Sequence, residues 1–297
     1  MAWVVLSITA AAFQTLRFML QKALSTGRLS AGGATLARFF YSAPIVTALA
    51  LGYWQWSGAE WPGYSGVFWG YALIGGLAQV LATWCVVALF AHRNFAVGIT
   101  FKKTEVVQTA IVGFALLGDT VSTGGLVAIV VGLVGVLVLS DAPGGAGLAR
   151  FFNRAAGLGL LSGAFFAVSA VCYRGATLEV ASDDPFLRAA LTLMVVTLSQ
   201  TLGLSAWIGW WERGEIGRLL AAWKTAVWMG LTGMAGSLCW FTAFTLQNAA
   251  YVFAVGQIEV IFSIAASVLF FGEKMAGREL AGIGLLTVSI LGLVLMG

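Results

Sequence analysis

The sequence predicts an all-α integral membrane fold of ten transmembrane helices, arranged as two inverted five-helix repeats. Three observations carry that prediction. Hydrophobic residues make up 60% of the 297 positions and charged residues only 9%, too little polar surface for a soluble globular chain. Apolar stretches near the roughly 20 residues that a spanning helix needs lie at 3–24, 34–54, 66–90, 95–117, 121–140, 155–177, 186–208, 223–246, 249–271 and 279–296. Polar residues also recur between the two halves of the chain at a fixed offset.

The stretches are punctuated by Gly, Pro and charge at Arg28–Gly33, Gly58–Gly63, Asp141–Gly147, Asp183–Pro185 and Glu212–Arg218. The longest break divides the chain into a first repeat over 1–140, an inter-repeat loop over 141–154 and a second repeat over 155–297. In the fourth span Lys102-Lys103-Thr104-Glu105-Val106-Val107 leads to Gly118-Asp119, and in the ninth Gly256-Gln257-Ile258-Glu259-Val260-Ile261 leads to Gly272-Glu273. Glu105 and Glu259 are 154 positions apart, and the same offset relates Trp69 to Trp223, Cys85 to Cys239, Phe90 to Phe244 and Asn94 to Asn248. Arg38 and Arg188 each open the second span of a half, while Lys22 and Arg174 each close the first.

Five is an odd number, so the second half enters the membrane upside down. The loop charges point the same way. Arg28, Arg93, Arg150, Arg154, Arg213, Arg218, Lys224, Lys274 and Arg278 fall in the connections after spans 1, 3, 5, 7 and 9; the opposite connections have little beyond Arg174 and Arg188. That antiphase between halves is what an inverted repeat requires. The positive-inside rule places the charged connections in the cytoplasm and both termini outside.

Several function classes recede on the same grounds. The net charge of +4 lies in loops and reads as topology, so no nucleic-acid partner is expected. Cys85, Cys172 and Cys239 sit in apolar runs without metal spacing and read as packing residues. His92 is the only histidine, and one histidine cannot build a usual metal site; neither metal nor cofactor is expected. Asp183-Asp184 is the only adjacent acidic pair and lies in a loop, which speaks against a membrane-embedded transferase, or any enzyme. The first segment lacks a basic leader and reads as a span, not a cleavable signal. Many Trp lie near span ends (Trp3, Trp54, Trp56, Trp61, Trp207, Trp210, Trp211, Trp223), where membrane interfaces favour them.

Polar residues inside the spans are the candidate site. In span 1, Gln14, Arg17 and Gln21 share a face at i, i+3 and i+7. Arg17 suits a carboxylate clamp, with snorkelling to the interface as the plainer alternative. Arg38 reads as an interface anchor. Span 3 offers Gln79, Thr83 and Trp84; span 6 offers Ser162, Ser169 and Tyr173; span 8 offers Thr232, Ser237 and Trp240. Each set suits a cavity wall, where aromatics enclose an apolar group and amides or hydroxyls bond a polar one. Ordinary helix packing explains each equally simply. Gly66 with Gly70 and Gly159 with Gly163 read as close-packing positions. Glu105 and Glu259 lie about 15 Å into their spans at 1.5 Å per residue, near the midplane of a roughly 30 Å core. A carboxylate there is costly and marks function by default; pairing of Glu105 with Lys102 is the structural alternative. Lys102 and Lys103 add a positive field that favours carboxylate-bearing ligands.

Two five-helix halves, an Arg opening each second span and a Gly-acid pair between each fourth and fifth span resemble the drug/metabolite transporter superfamily. Within it the chain is most similar to EamA-like ten-helix exporters, YddG-type amino-acid exporters in particular. The resemblance implies a central cavity between the halves, alternating access, and fifth and tenth helices at the periphery. It implies a bacterial inner-membrane secondary transporter exporting small metabolites, amino acids including aromatic and apolar ones foremost. A drug or organic-anion carrier, or a passive channel, is the alternative. The expected partners are the bilayer and a small-molecule substrate, the expected state a monomer or weak homodimer. Two departures stand out. Many relatives carry a proline in the fourth helix of each repeat where this chain has Glu105-Val106 and Glu259-Val260, so a proline-broken hinge is not expected. The first span lacks the glutamate of the small multidrug-resistance branch, which weighs against lipophilic-cation antiport by that route.

Overall fold

The computed structural model describes residues 1–25, 29–89, 101–139, 154–262, 265 and 277–296. The expectations for Arg28, Phe90, His92, Arg93, Asn94, Arg150, Glu273 and Lys274, and for the loop residues 141–153, lie outside the described residues, as do the side chains of Lys22 and Arg278.

Among the described residues every element is helical: α1 (Ala2–Ser25), α2 (Ala31–Ser57), α3 (Gly66–Leu89), α4 (Glu105–Leu117), α5 (Thr123–Leu139), α6 (Arg154–Leu178), α7 (Pro185–Trp211), α8 (Glu215–Ala221), α9 (Trp223–Leu246), α10 (Ala249–Gly256) and α11 (Gly277–Met296). Helices α1, α2, α3, α6, α7 and α9 are long and apolar enough to cross a membrane. Shorter apolar helices cover Glu105–Leu117, Thr123–Val138, Ala249–Phe262 and Leu280–Leu295.

Helix ends follow local chemistry. The Ser30 hydroxyl accepts from Gly33 N at 2.9 Å and caps α2. Asp184 caps α7, with Pro185 at its first position. Gly118 ends α4 at φ 67°, a left-handed conformation that only glycine adopts without steric cost. The seven-residue α8 lies in a stretch that the sequence marked only as a charged break. Tertiary contact explains it. Glu215 is fully buried and accepts from Ser30 N at 2.5 Å, Arg218 pairs with it, and Glu212 accepts from the Ser30 hydroxyl. These bonds tie the α7–α9 connection to the start of α2.

Packing runs between the two halves more than within them. Helix α1 lies on α9, α3 on α6, α2 on α7, α4 on α6 and α10, and α5 on α11. At one end the α1–α2 and α7–α9 connections meet through Ser30. At the other, Arg174 near the end of α6 reaches Asp119 after α4 and the carbonyls of Phe244 and Gln247. Tyr53 also donates to Asp184 there, at 2.7 Å.

In the α5–α11 contact, Gly135 lies against the backbone of α11. A Cβ at that position would fall 3.0 Å from the Gly282 carbonyl oxygen and 3.1 Å from Leu286 N, backbone atoms that cannot rotate aside. Gly135→Ala is therefore expected to destabilise the fold by about 1–3 kcal/mol. Gly66 and Gly70 differ from the sequence expectation: no described atom lies within 4 Å of a Cβ at either, because both face outward. Gly70→Ala is expected to stabilise by up to about 1 kcal/mol through helix propensity. Thermal unfolding of the two purified variants checks both signs.

Candidate functional site

The fourth and ninth spans are both interrupted at their polar residues. Lys103-Thr104 and Gln257-Ile258 are turns, at the same 154-residue offset, and a new helical run starts at Glu105 and at Glu259. Short-range bonds mark the breaks: Thr104 N to Phe101 O at 3.2 Å, Gln257 N to Ala254 O at 3.2 Å and Ile258 N to Val255 O at 3.1 Å. No proline is involved. In the first break the Thr104 hydroxyl donates to Phe101 O at 2.7 Å, a side-chain bond that competes with the helix ladder. In the second, Gly256 lets the Trp240 ring lie directly on the backbone, in space that a Cβ would fill. Gly163 of α6 does the same for the first break, its Cβ direction pointing at Lys102 O at 3.1 Å.

The breaks bring four charges together. Lys102 Nζ lies 2.9 Å from Glu105 Oε1 and 3.9 Å from Glu259 Oε1, so it bridges the carboxylates. Lys103, in the turn before α4, pairs with Glu259. Gln14 Nε2 of α1 donates to the other Glu259 oxygen at 2.6 Å. All four charged residues are at most 9% exposed. Lys102, Glu105 and Glu259 border a cavity with Gln14, Phe166, Trp240, Phe253, Gly256 and Gln257; it leaves about 10 Å³ for the centre of a water-sized sphere, room for about one water. The Phe166 ring lies 4.9 Å from Lys102 Nζ, a cation–π contact.

Of the residues expected from sequence, the structure gathers Gln14, Lys102, Glu105, Trp240 and Glu259 around this cavity. Arg17 is one turn away on α1 and donates to Gln21 at 2.8 Å; at 2% exposure it does not snorkel. Gln79 and Tyr173 form a separate buried network, in which Tyr173 donates to Gln79 Oε1 at 3.0 Å and Gln200 Nε2 reaches Gly76 O and Gln79 Oε1. Thr83 is fully buried with no hydrogen-bond partner among the described residues. Trp84 packs edge-on to Trp207 in a groove of about 360 Å³ between α3 and α7, away from the carboxylates. Phe166, Phe253 and Gln257 border the cavity without having been singled out as site residues. Only Gln257, beside the recurring Glu259, carried a sequence signal; an apolar ring in an apolar span carries none. Among the described residues no cluster of His, Cys, Asp and Glu could hold a metal ion.

The half of the chain that carries Glu259 has a recognisable pattern. Residues 153–295 match the EamA-like transporter family. No curated protein sequence matches significantly. A solved crystal structure aligns with 99% of this chain and 96% of its own, with a TM-score of 0.74 and 13% identity, a likeness of fold alone. The EamA-like match points to a transporter rather than an enzyme, and supports membrane transport of small molecules as the activity. With the apolar helices it supports a multi-pass membrane protein.

Proposed function

We propose that this protein is a secondary transporter of the bacterial inner membrane, with ten spanning helices in two inverted repeats, exporting small metabolites by alternating access. Amino acids, aromatic and apolar ones included, are the proposed substrates, as in YddG-type exporters. The observation that carries the reading is the Lys102–Glu105–Lys103–Glu259 cluster at twin helix breaks. A carboxylate held by a lysine is a site that a substrate ammonium can enter by displacing the lysine, and Trp240, Phe166 and Phe253 supply apolar walls. The exchange of partners between halves supports the inverted repeat: α1 on α9 answers α3 on α6, while α2 meets α7, α4 meets α10 and α5 meets α11. In the conformation described the cavity is nearly closed, as an intermediate between the two faces would be.

Purified protein in liposomes preloaded with unlabelled amino acid should accumulate the labelled form by counterflow and saturate. Organic anions and cationic drugs in the same panel test the alternative cargo. No exchange of any amino acid would defeat the substrate assignment, and flux without saturation or counterflow would indicate a channel.

A further inference from the structure

We infer that Arg17 and Arg38 form a binding site for a small carboxylate between α1, α2 and α9. The two stems cross the same glycine: a Cβ on Gly233 of α9 would fall 3.1 Å from Arg38 Cγ and 3.3 Å from Arg17 Cδ. Arg17 is 2% exposed and Arg38 5%. Arg38 lies seven residues inside α2 and Arg17 eight from the end of α1, so each starts about 10–12 Å from its helix end. Both are therefore beyond the reach of simple interface anchoring.

Neither guanidinium has a counter-charge among the described residues. Arg17 Nη1 donates to Gln21 Oε1 at 2.8 Å and Arg38 Nη2 to Ser237 Oγ at 3.0 Å, both neutral acceptors. Arg38 Nη1 and Gln21 Nε2 are buried donors without any partner among the described residues. A guanidinium carries five N–H donors, and a buried one left unpartnered, as at Arg38 Nη1, is a place for an acceptor to enter. The nearby acids are committed elsewhere. Glu105 and Glu259 are held by Lys102 and Lys103, and Glu215 by Ser30 N and Arg218. Among the described residues the buried charges are thus Arg17, Arg38, Lys102 and Lys103 against Glu105, Glu215 and Glu259, and since Glu215 pairs with Arg218, the two arginines are left as uncompensated positive charge. Burying like charges side by side is costly unless an anion joins them. A carboxylate matches a guanidinium fork with two parallel bonds, and unused N–H groups on Arg38 and Gln21 would complete its coordination.

The site adjoins the ion cluster. The Phe18 ring lies 4.1 Å from Arg17 Cζ and 6.0 Å from Lys102 Nζ, and Gln14, one turn from Arg17, holds Glu259. A ligand with a carboxylate at the arginines and a cationic or apolar part toward Glu259 and Trp240 fits that order. The assignment to a transported substrate rests on the transport reading above; carboxylate binding does not.

The test uses purified full-length protein in detergent, in buffer free of other carboxylates, with 3-phenylpropionate and its neutral amide as probes. The acid should raise the melting temperature by several degrees and the amide should not. In Arg17→Gln and Arg38→Gln the apparent affinity for the acid should fall at least tenfold, and Arg38→Lys, which keeps charge without the fork, should fall in between. Equal stabilisation by acid and amide in the unmodified protein would overturn the proposal whether or not the variants fold, and so would unchanged acid affinity in both glutamine variants. Carboxylate binding without amino-acid counterflow would count against the transport reading alone.

Discussion

Glu259→Gln should abolish amino-acid counterflow and lower stability, while adding Lys103→Met should restore the stability without restoring transport. Glu259 is the acceptor for Lys103, lies within 3.9 Å of Lys102 and takes the Gln14 amide at 2.6 Å. Neutralising it leaves the Lys103 ammonium, 4% exposed, without an ion-pair partner among the described residues. Breaking one side of a buried pair costs about 3–5 kcal/mol, whereas replacing both sides by neutral groups is often neutral or better. Glu105→Gln should be milder, about 1–2 kcal/mol, since Lys102 keeps Glu259 nearby. Thermal unfolding reads the stability and counterflow reads the function. If the double variant regains stability and also transports at the original rate with the same pH dependence, the cluster only holds the helices in register. Loss of transport in a stable double variant assigns the carboxylate to substrate or proton.

The same cluster marks how far the sequence reaches. Six of the spans inferred from apolar length coincide with described helices long enough to cross a membrane, because hydrocarbon thickness sets a length that composition reveals directly; shorter apolar helices lie within the other four. The Lys102–Glu105 pair was legible too, being three residues apart on one helix. Gln14 and Glu259 are 245 residues apart, and nothing in either segment states that they touch. Lys103, two residues from Glu105, faces away from it in a helix, but that Glu259 meets Lys103 depends on how the fourth span meets the ninth. The helix breaks were missed for a specific reason: proline is the readable signal, and here Thr104 and Gly256 break the helices through side-chain competition and aromatic packing. Gln79 and Tyr173 show the converse. Both had the chemistry of a cavity wall, yet Gln200 on α7 binds them into a network of their own.

Arg174→Ala should destabilise the fold by about 3 kcal/mol and loosen the end of the bundle opposite Ser30. Arg174 Nε and Nη2 grip Asp119 at 2.8 and 3.3 Å, and its Nη1 donates to Phe244 O at 2.8 Å and Gln247 O at 3.0 Å. One side chain of α6 thus joins the end of α4 to the end of α9, where the final carbonyls have no ladder partner and the helix dipole favours a cation. Both ion-pair side chains are only 16% exposed, so water replaces the lost bonds poorly. Asp119→Asn keeps the carbonyl bonds and should cost about half as much. In an alternating-access cycle these helix ends must part at one stage, so the tie favours the conformation closed at this face. A bias of about 1.4 kcal/mol changes the ratio of two conformations tenfold. Alkylation by a water-soluble maleimide of a cysteine introduced at Ala249, buried two residues from Gln247, should therefore speed up at least tenfold in Arg174→Ala. Equal alkylation rates and an unchanged melting temperature in both variants would reduce the Arg174–Asp119 pair to a surface contact with no part in closing the bundle.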